Sequence, residues 1–172
     1  MTDQLIITLA QLNPRVGDID GNLAKLRAVR EQAAVDGADL ILTPELYACG
    51  YPPEDLVLKP MFVAELRDSV EALAAETADG GPAILLGAPW AEGEQLYNAL
   101  VLLDGGKVQA TRYKVDLPNY GVFDEKRVFD VGPMPGPMDV RGVRIGVPIC
   151  EDIWTPDVVE CVSETGGELL LV

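Results

Sequence analysis

Three residues of this sequence carry groups suited to acyl transfer, and each follows an apolar run: Glu45 in "DLILTPEL" (39–46), Lys114 closing "KVQATRYK" (107–114) and Cys150 closing "RGVRIGVPIC" (141–150). A thiol near its ordinary pKa of about 8.5 is mostly protonated at neutral pH. A carboxylate beside it takes the proton, and a nearby ammonium favours the thiolate. The ammonium also stabilises the oxyanion of a tetrahedral intermediate, together with the backbone N–H of Glu151 directly after the cysteine. The chain contains no histidine. A Ser-His-Asp triad, a Cys-His dyad and a His-ligated metal are therefore excluded within it. Acid–base work near neutral pH falls to a carboxylate or a lysine with a shifted pKa.

Each of the three residues also has a plain structural reading. Cys150 after an apolar run fits a core thiol, Glu45 after Pro44 a solvated loop acid, and Lys114 an ordinary lysine at a strand end. What groups them is position. In α/β sheets, ligands bind beyond the carboxyl ends of strands, and all three residues are expected at such ends. Of the other cysteines, Cys49 falls in a loop and Cys161 on an apolar helix face, where core packing is expected.

The elements that must position these groups are legible. "LIITLAQL" (5–12) reads as a buried strand ended by Asn13-Pro14. Leu23, Leu26, Val29, Ala33 and Val35 lie on helical spacing within 20–38, and Gly37 sits where a helix stops. Strands are expected over 39–43 and 82–90, with a helix over 61–77 between them. Residues 95–114 read as two strands joined at Asp104-Gly105-Gly106, a hairpin signal. Over 138–150, Val143, Ile145, Val147 and Ile149 alternate as one strand face, with Cys150 at its end. Thr155 is a candidate N-cap and Pro156 a first helical residue for a helix over 155–166. "ELLLV" (168–172) reads as a last strand. Alternating strands and helices around a hairpin predict an α/β layered fold with a mixed sheet. The stretch from Val115 to Pro137, rich in Pro, Gly and aromatic residues, is expected to be irregular and functional.

The totals narrow the function classes. The chain has 172 residues, 48% of them hydrophobic, enough for one domain or a piece of one with a real core. A net charge of −15 disfavours a nucleic-acid backbone or an anionic membrane as partner. Cysteines at 49, 150 and 161 form neither a disulfide framework nor a metal pattern. "MTDQLIITLAQLNP" lacks the basic and long apolar regions of a signal peptide, and no stretch has the length of a membrane span. A cytoplasmic protein with free thiols is the expectation.

"LTPELYACGYPPEDL", "RYKVDLPNYGVFDEKRVF" and "IGVPICEDIW" resemble, in order, the three signature segments of the nitrilase (carbon–nitrogen hydrolase) superfamily. "GYPPEDL", "LPNYGVFDEKRVF" and "CEDIW" are the more specific parts. They are most similar to the glutaminase domains of glutamine-dependent NAD(+) synthetases. The resemblance runs from about residue 4 to the end. It implies a four-layer αββα sandwich, of which this chain is the N-terminal part, and these roles: Glu45 as general base, Lys114 as stabiliser of the tetrahedral intermediate, and Cys150 as the nucleophile that forms a γ-glutamyl thioester. Glu125 matches a second glutamate that helps to position the lysine and the substrate, and Tyr120 a tyrosine that contacts bound glutamine.

The resemblance implies no cofactor for the glutaminase half. ATP and Mg2+ belong to a C-terminal synthetase domain that receives the ammonia, and its Gly-rich "SGGxDS"-type phosphate loop does not occur in this sequence. L-glutamine, that synthetase domain and further copies of the chain are the implied partners. The terminal "ELLLV" gives the domain little reason to stop, so a fragment of a longer protein is expected, with part of the pocket missing and a last strand left partly uncovered. Pro148, two residues before Cys150, departs from the pattern: it marks either a bulge that turns Cys150 outward or an unpaired edge. Two other readings remain at this stage, a stand-alone amidase or carbamoylase of the same superfamily and a non-catalytic binding module. Retention of Glu45, Lys114 and Cys150 argues against the second.

Overall fold

A computed structural model describes residues 4–172. The chain runs β1 (Ile7–Leu9), α1 (Ile19–Val35), β2 (Leu40–Leu42), α2 (Pro60–Glu76), β3 (Ala83–Glu92), β4 (Gln95–Asp104), β5 (Lys107–Tyr113), β6 (Met138–Val140), β7 (Val143–Gly146), α3 (Pro156–Glu164) and β8 (Leu169–Leu170). Strands β1 to β5 form one mixed sheet in sequence order, and β6, β7 and β8 form a second. In the first sheet β1, β2 and β3 are parallel, whereas β3, β4 and β5 are antiparallel.

Alternation along the strands builds the layers. Ile41, Ile84, Leu86, Val101 and Leu103 face α1 and α2, whose Leu23, Leu26, Leu66, Val70 and Leu73 fill the same core. Leu40, Leu85, Leu100 and Leu102 face the other way, against Met138, Val140, Ile145, Val147 and Ile149 of the second sheet and its extension. Helix α3 covers the outer face of that sheet with Val158 and Val162. The layers are therefore helix, sheet, sheet, helix, as the resemblance implies.

Local chemistry explains the ends. The Asp18 side chain caps α1 by accepting the Gly21 N–H at 3.0 Å. At its other end the Gly37 and Ala38 N–H groups return to Ala34 and Ala33, a Schellman closure. Val35 is 82% exposed and lies off the buried stripe, contrary to its expected place on it. The β4–β5 turn uses Gly105 and Gly106 at φ 58° and 83°, the two positive values that match strand twist.

Four expectations over 138–166 are corrected. Residues 138–150 are not one strand. Arg141 and Gly142, at φ 54° and 84°, fold 138–146 into a β6–β7 hairpin, and β7 ends at Gly146, four residues before Cys150. The sign of the turn was the slip in apolar spacing from Val140 to Val143. Pro148 lies beyond β7, so its missing N–H costs that strand no ladder bond, and neither the bulge nor the unpaired edge is needed. Thr155 makes no side-chain cap to α3; its hydroxyl donates instead to Asp116 Oδ2 at 2.6 Å. Cys161 is half-buried, while the α3 residues in the core are Val158 and Val162.

Candidate active site

The loop after β2 delivers Glu45. Gly87 on β3 lets that loop lie flat on the sheet: a Cβ there would stand 2.3 Å from the Pro44 carbonyl oxygen and 2.6 Å from the Leu46 nitrogen. The Ala48 N–H closes the contact onto the Gly87 carbonyl at 2.9 Å. From the far side, buried Tyr47 donates its hydroxyl to the Asn22 carbonyl of α1 at 2.9 Å.

Lys114 follows β5 directly. It continues the parity of Ala110, so its side chain enters the layer between the sheets, and it is completely buried. There its Nζ donates to Glu45 Oε1 at 2.7 Å and to Glu125 Oε1 at 2.9 Å. Glu125 opens a short 3₁₀ turn (Glu125–Arg127) inside the otherwise irregular 115–137 stretch. A buried ammonium is tolerated because two carboxylates share it. Burial works against the Lys114 ammonium, but Glu45 and Glu125 outweigh it and hold it above its ordinary range. Burial pushes Glu125 upward, and the Lys114 bond only partly opposes this.

Cys150 opens a second 3₁₀ turn (Cys150–Ile153) with a left-handed backbone, φ 49°, and an exposed side chain. For a non-glycine residue this conformation stores roughly 1–3 kcal/mol of strain and must be held by its surroundings. The holder is Asp152. Its buried carboxylate accepts the Ile149 N–H at 2.9 Å, the Val115 N–H at 3.0 Å and the Asp116 N–H at 2.8 Å. Burial pushes the Cys150 thiol upward, the charge of Glu45 pushes it further, and Lys114 opposes them. The ammonium favours the thiolate as expected, but burial and the Glu45 charge outweigh it, so the resting group is a thiol beside a carboxylate, the arrangement a general base requires. Cys49, by contrast, is fully buried, its thiol pushed up to about 12 by burial.

Tyr120 and Glu151 sit at the rim and bond to each other, hydroxyl to Oε2 at 2.9 Å, rather than to Glu45, Lys114 or Glu125. An apolar cleft of about 290 Å³, lined by Leu46, Tyr51, Phe123, Val128 and Phe129, ends on Glu125 without reaching Cys150 or Lys114.

Sequence reasoning missed three residues. Asp152 lay in plain view inside "CEDIW". Tyr51 stands close enough to Glu45 and Glu125 for their charges to act on its phenol, and burial together with those charges pushes it up to about 12. Buried Asn98 donates Nδ2 to Glu45 Oε1 at 2.7 Å and, at 3.4 Å, to Glu125 Oε2. A lone amide inside the apolar run "LYNALVLL" was its only signal. Among the described residues, no cluster of three His, Cys, Asp or Glu side chains is arranged to hold a metal ion, and no helix is long and apolar enough to cross a membrane.

The carbon–nitrogen hydrolase family matches residues 6–172. The chain belongs to that family. A curated carbon–nitrogen hydrolase relative, the glutamine-dependent NAD(+) synthetase of Rhodobacter capsulatus, is 44% identical over 172 residues, which is 100% of this chain and 31% of the relative. The chain thus spans about a third of the length of that protein. The structure of a glutamine-dependent NAD+ synthetase from Acinetobacter baumannii, in complex with adenosine diphosphate, superposes with a TM-score of 0.90 at 37% identity, covering 96% of this chain and 31% of that one. An amidase from Nesterenkonia sp. AN1, solved with acrylamide added at its active site cysteine, superposes at 0.83 with 31% identity, covering 98% of this chain and 66% of that one. The nitrilase-superfamily fold expected from the three segments is thereby established.

Proposed function

We propose that this chain is the N-terminal portion of the glutamine-hydrolysing domain of a glutamine-dependent NAD(+) synthetase. The observation that carries the reading is the Lys114 ammonium bridging Glu45 and Glu125 beside Cys150. Identity of 44% across the whole chain favours glutamine over other amides.

In this reading Glu45 takes the Cys150 proton as sulfur attacks the side-chain amide carbon of L-glutamine. Two of the three Lys114 N–H groups are committed to Glu45 and Glu125, so the third is available to the oxyanion, with the Glu151 N–H as a second donor. Protonated Glu45 passes its proton to the leaving nitrogen, and ammonia departs from a γ-glutamyl thioester. Glu45 then deprotonates a water that attacks the thioester, and the sulfur leaves as a thiol once Glu45 returns the proton. Glu125 keeps Lys114 in place, and Tyr120 and Glu151 contact the bound amino acid. The domain itself uses no cofactor. Ammonia goes to a synthetase domain that uses ATP and Mg2+ to amidate nicotinic acid adenine dinucleotide, in a cytoplasmic homo-oligomer.

The second reading, a stand-alone amidase, has the support of the Nesterenkonia amidase, at the lower identity of 31%. One experiment separates the readings. Full-length enzyme is assayed for glutamate release from glutamine, and its labelling by a glutamine-like diazoketone is read by intact mass. The proposal expects release and a single adduct that Cys150→Ala abolishes, while Glu45→Ala stops glutamine use and leaves supplied ammonia usable. Equal labelling of Cys150→Ala removes Cys150 as nucleophile. Turnover of simple amides without glutamine moves the assignment to an amidase.

A further inference from the structure

Asn98 sits on the strand face that looks between the two sheets, at the end nearest the reactive groups. Its Nδ2 meets Glu45 Oε1 at 2.7 Å, the same oxygen that Lys114 Nζ reaches at 2.7 Å. A carboxylate oxygen has two in-plane lone pairs. Oε1 therefore has both engaged, and only Oε2 is free to take a proton from sulfur. The Asn98 amide cannot be reversed, because that would set its carbonyl oxygen against Glu45 Oε1. Held this way round, its Oδ1 is buried with no hydrogen-bond partner. An orphaned buried carbonyl is costly, and here it is the counterpart of an amide that two carboxylates hold in one orientation.

We infer that Asn98 is a positioning residue that selects Oε2 of Glu45 as the base and fixes Glu45 and Glu125 on a common ammonium. The inference rests on the proposed role of Glu45 as base. The charged and titratable groups around Glu45 come from four segments: Lys114 at the end of β5, Glu125 from the 115–137 stretch, Cys150 from the turn after β7, and Tyr51 from the loop that follows Glu45 itself. Asn98 is the uncharged donor among them.

The test uses the full-length protein with two readouts. The first needs no assumption about substrate: the pH profile of Cys150 alkylation by iodoacetamide, read on the Cys150 peptide by mass. The second is the split between kcat and KM for whichever amide the wild type turns over. Asn98→Asp keeps the volume and adds a negative charge where a donor stood, so the alkylation profile moves up by about one pH unit. Asn98→Ala frees Glu45 Oε1 from its second donor, so the choice of Oε2 is lost and kcat falls at least about tenfold while KM changes little. A purely structural role lowers the melting temperature and leaves the alkylation profile and the kcat of the folded protein where they were; that result overturns the inference. If Asn98→Ala unfolds, Asn98→Ser takes its place. Failure of all three variants to fold assigns Asn98 to folding and also overturns it. A wild type inert towards glutamine defeats the proposed substrate, yet the alkylation profiles still decide the role of Asn98.

Discussion

Asp152 Oδ1 accepts the Val115 N–H at 3.0 Å, so the turn that carries Cys150 is bonded directly to the segment that leaves Lys114. The same carboxylate takes the Ile149 N–H through Oδ2. Cys150 and Lys114 come from different sheets, and this one side chain ties the two segments together.

Asp152→Asn tests that link. An amide retains an acceptor on one side only, so at least one of the three N–H groups loses its partner, at about 1–3 kcal/mol. A denaturant melt of the full-length enzyme is expected to show that loss. Turnover is expected to fall through kcat more than through KM, because the reacting groups, not the rim, are displaced.

Glu45→Gln separates reactivity from catalysis. Burial raises the Cys150 thiol and the Glu45 charge raises it further. Removing the charge lowers that pKa and leaves the Lys114 ammonium less compensated, so more thiolate is present at any pH below it. Alkylation of Cys150 at pH 8 is expected to speed up. Amide turnover is expected to fall by about 10²–10⁴-fold, the usual share of a general base. Slower alkylation in the variant would contradict the site electrostatics described above.

Gly87→Ala tests the floor beneath the base. The new Cβ meets Pro44 and Leu46 backbone within 2.6 Å, and backbone cannot step aside as a side chain does. A stability loss of about 1–3 kcal/mol is expected from the overpacking. Displacement of Glu45 adds a loss of kcat, visible in activity normalised to folded protein.

Tyr120→Phe addresses the rim. The hydroxyl bonds Glu151, and the ring stands edge-on to Phe123 with centroids 5.7 Å apart. The substitution removes the hydroxyl bond and keeps the ring contact, and the lost bond is exposed, so melting temperature is expected to stay put. KM for the amide substrate is expected to rise with kcat little changed. A fall in kcat alone would place Tyr120 inside the chemistry instead.

The sequence made the architecture legible where period and punctuation agreed. The stripe of Leu23, Leu26 and Ala33 and the Gly105-Gly106 turn fold as their spacing says, and Val143, Ile145, Val147 and Ile149 share one buried face although the strand itself ends at Gly146. The β6–β7 turn was hidden because Arg141 carries none of the usual signal for a left-handed residue, and apolar alternation resumes almost at once. Glu45, Lys114 and Cys150 stood out through their chemistry and their place after apolar runs. Asn98 and Asp152 did not. An amide in a strand and a second acid after a cysteine acquire meaning only from partners 53 and 37 residues away.

The division of the site between the two sheets has a consequence for the nascent chain. Glu45, Asn98 and Lys114 come from the first sheet, and Cys150 from the end of the second. A chain with only its first sheet formed holds a carboxylate and a cation but no sulfur beside them. A loose second sheet presents a thiol with no base beside it. In the proposed reaction, amide cleavage is thus conditional on docking of the two sheets, the same packing that completes the fold.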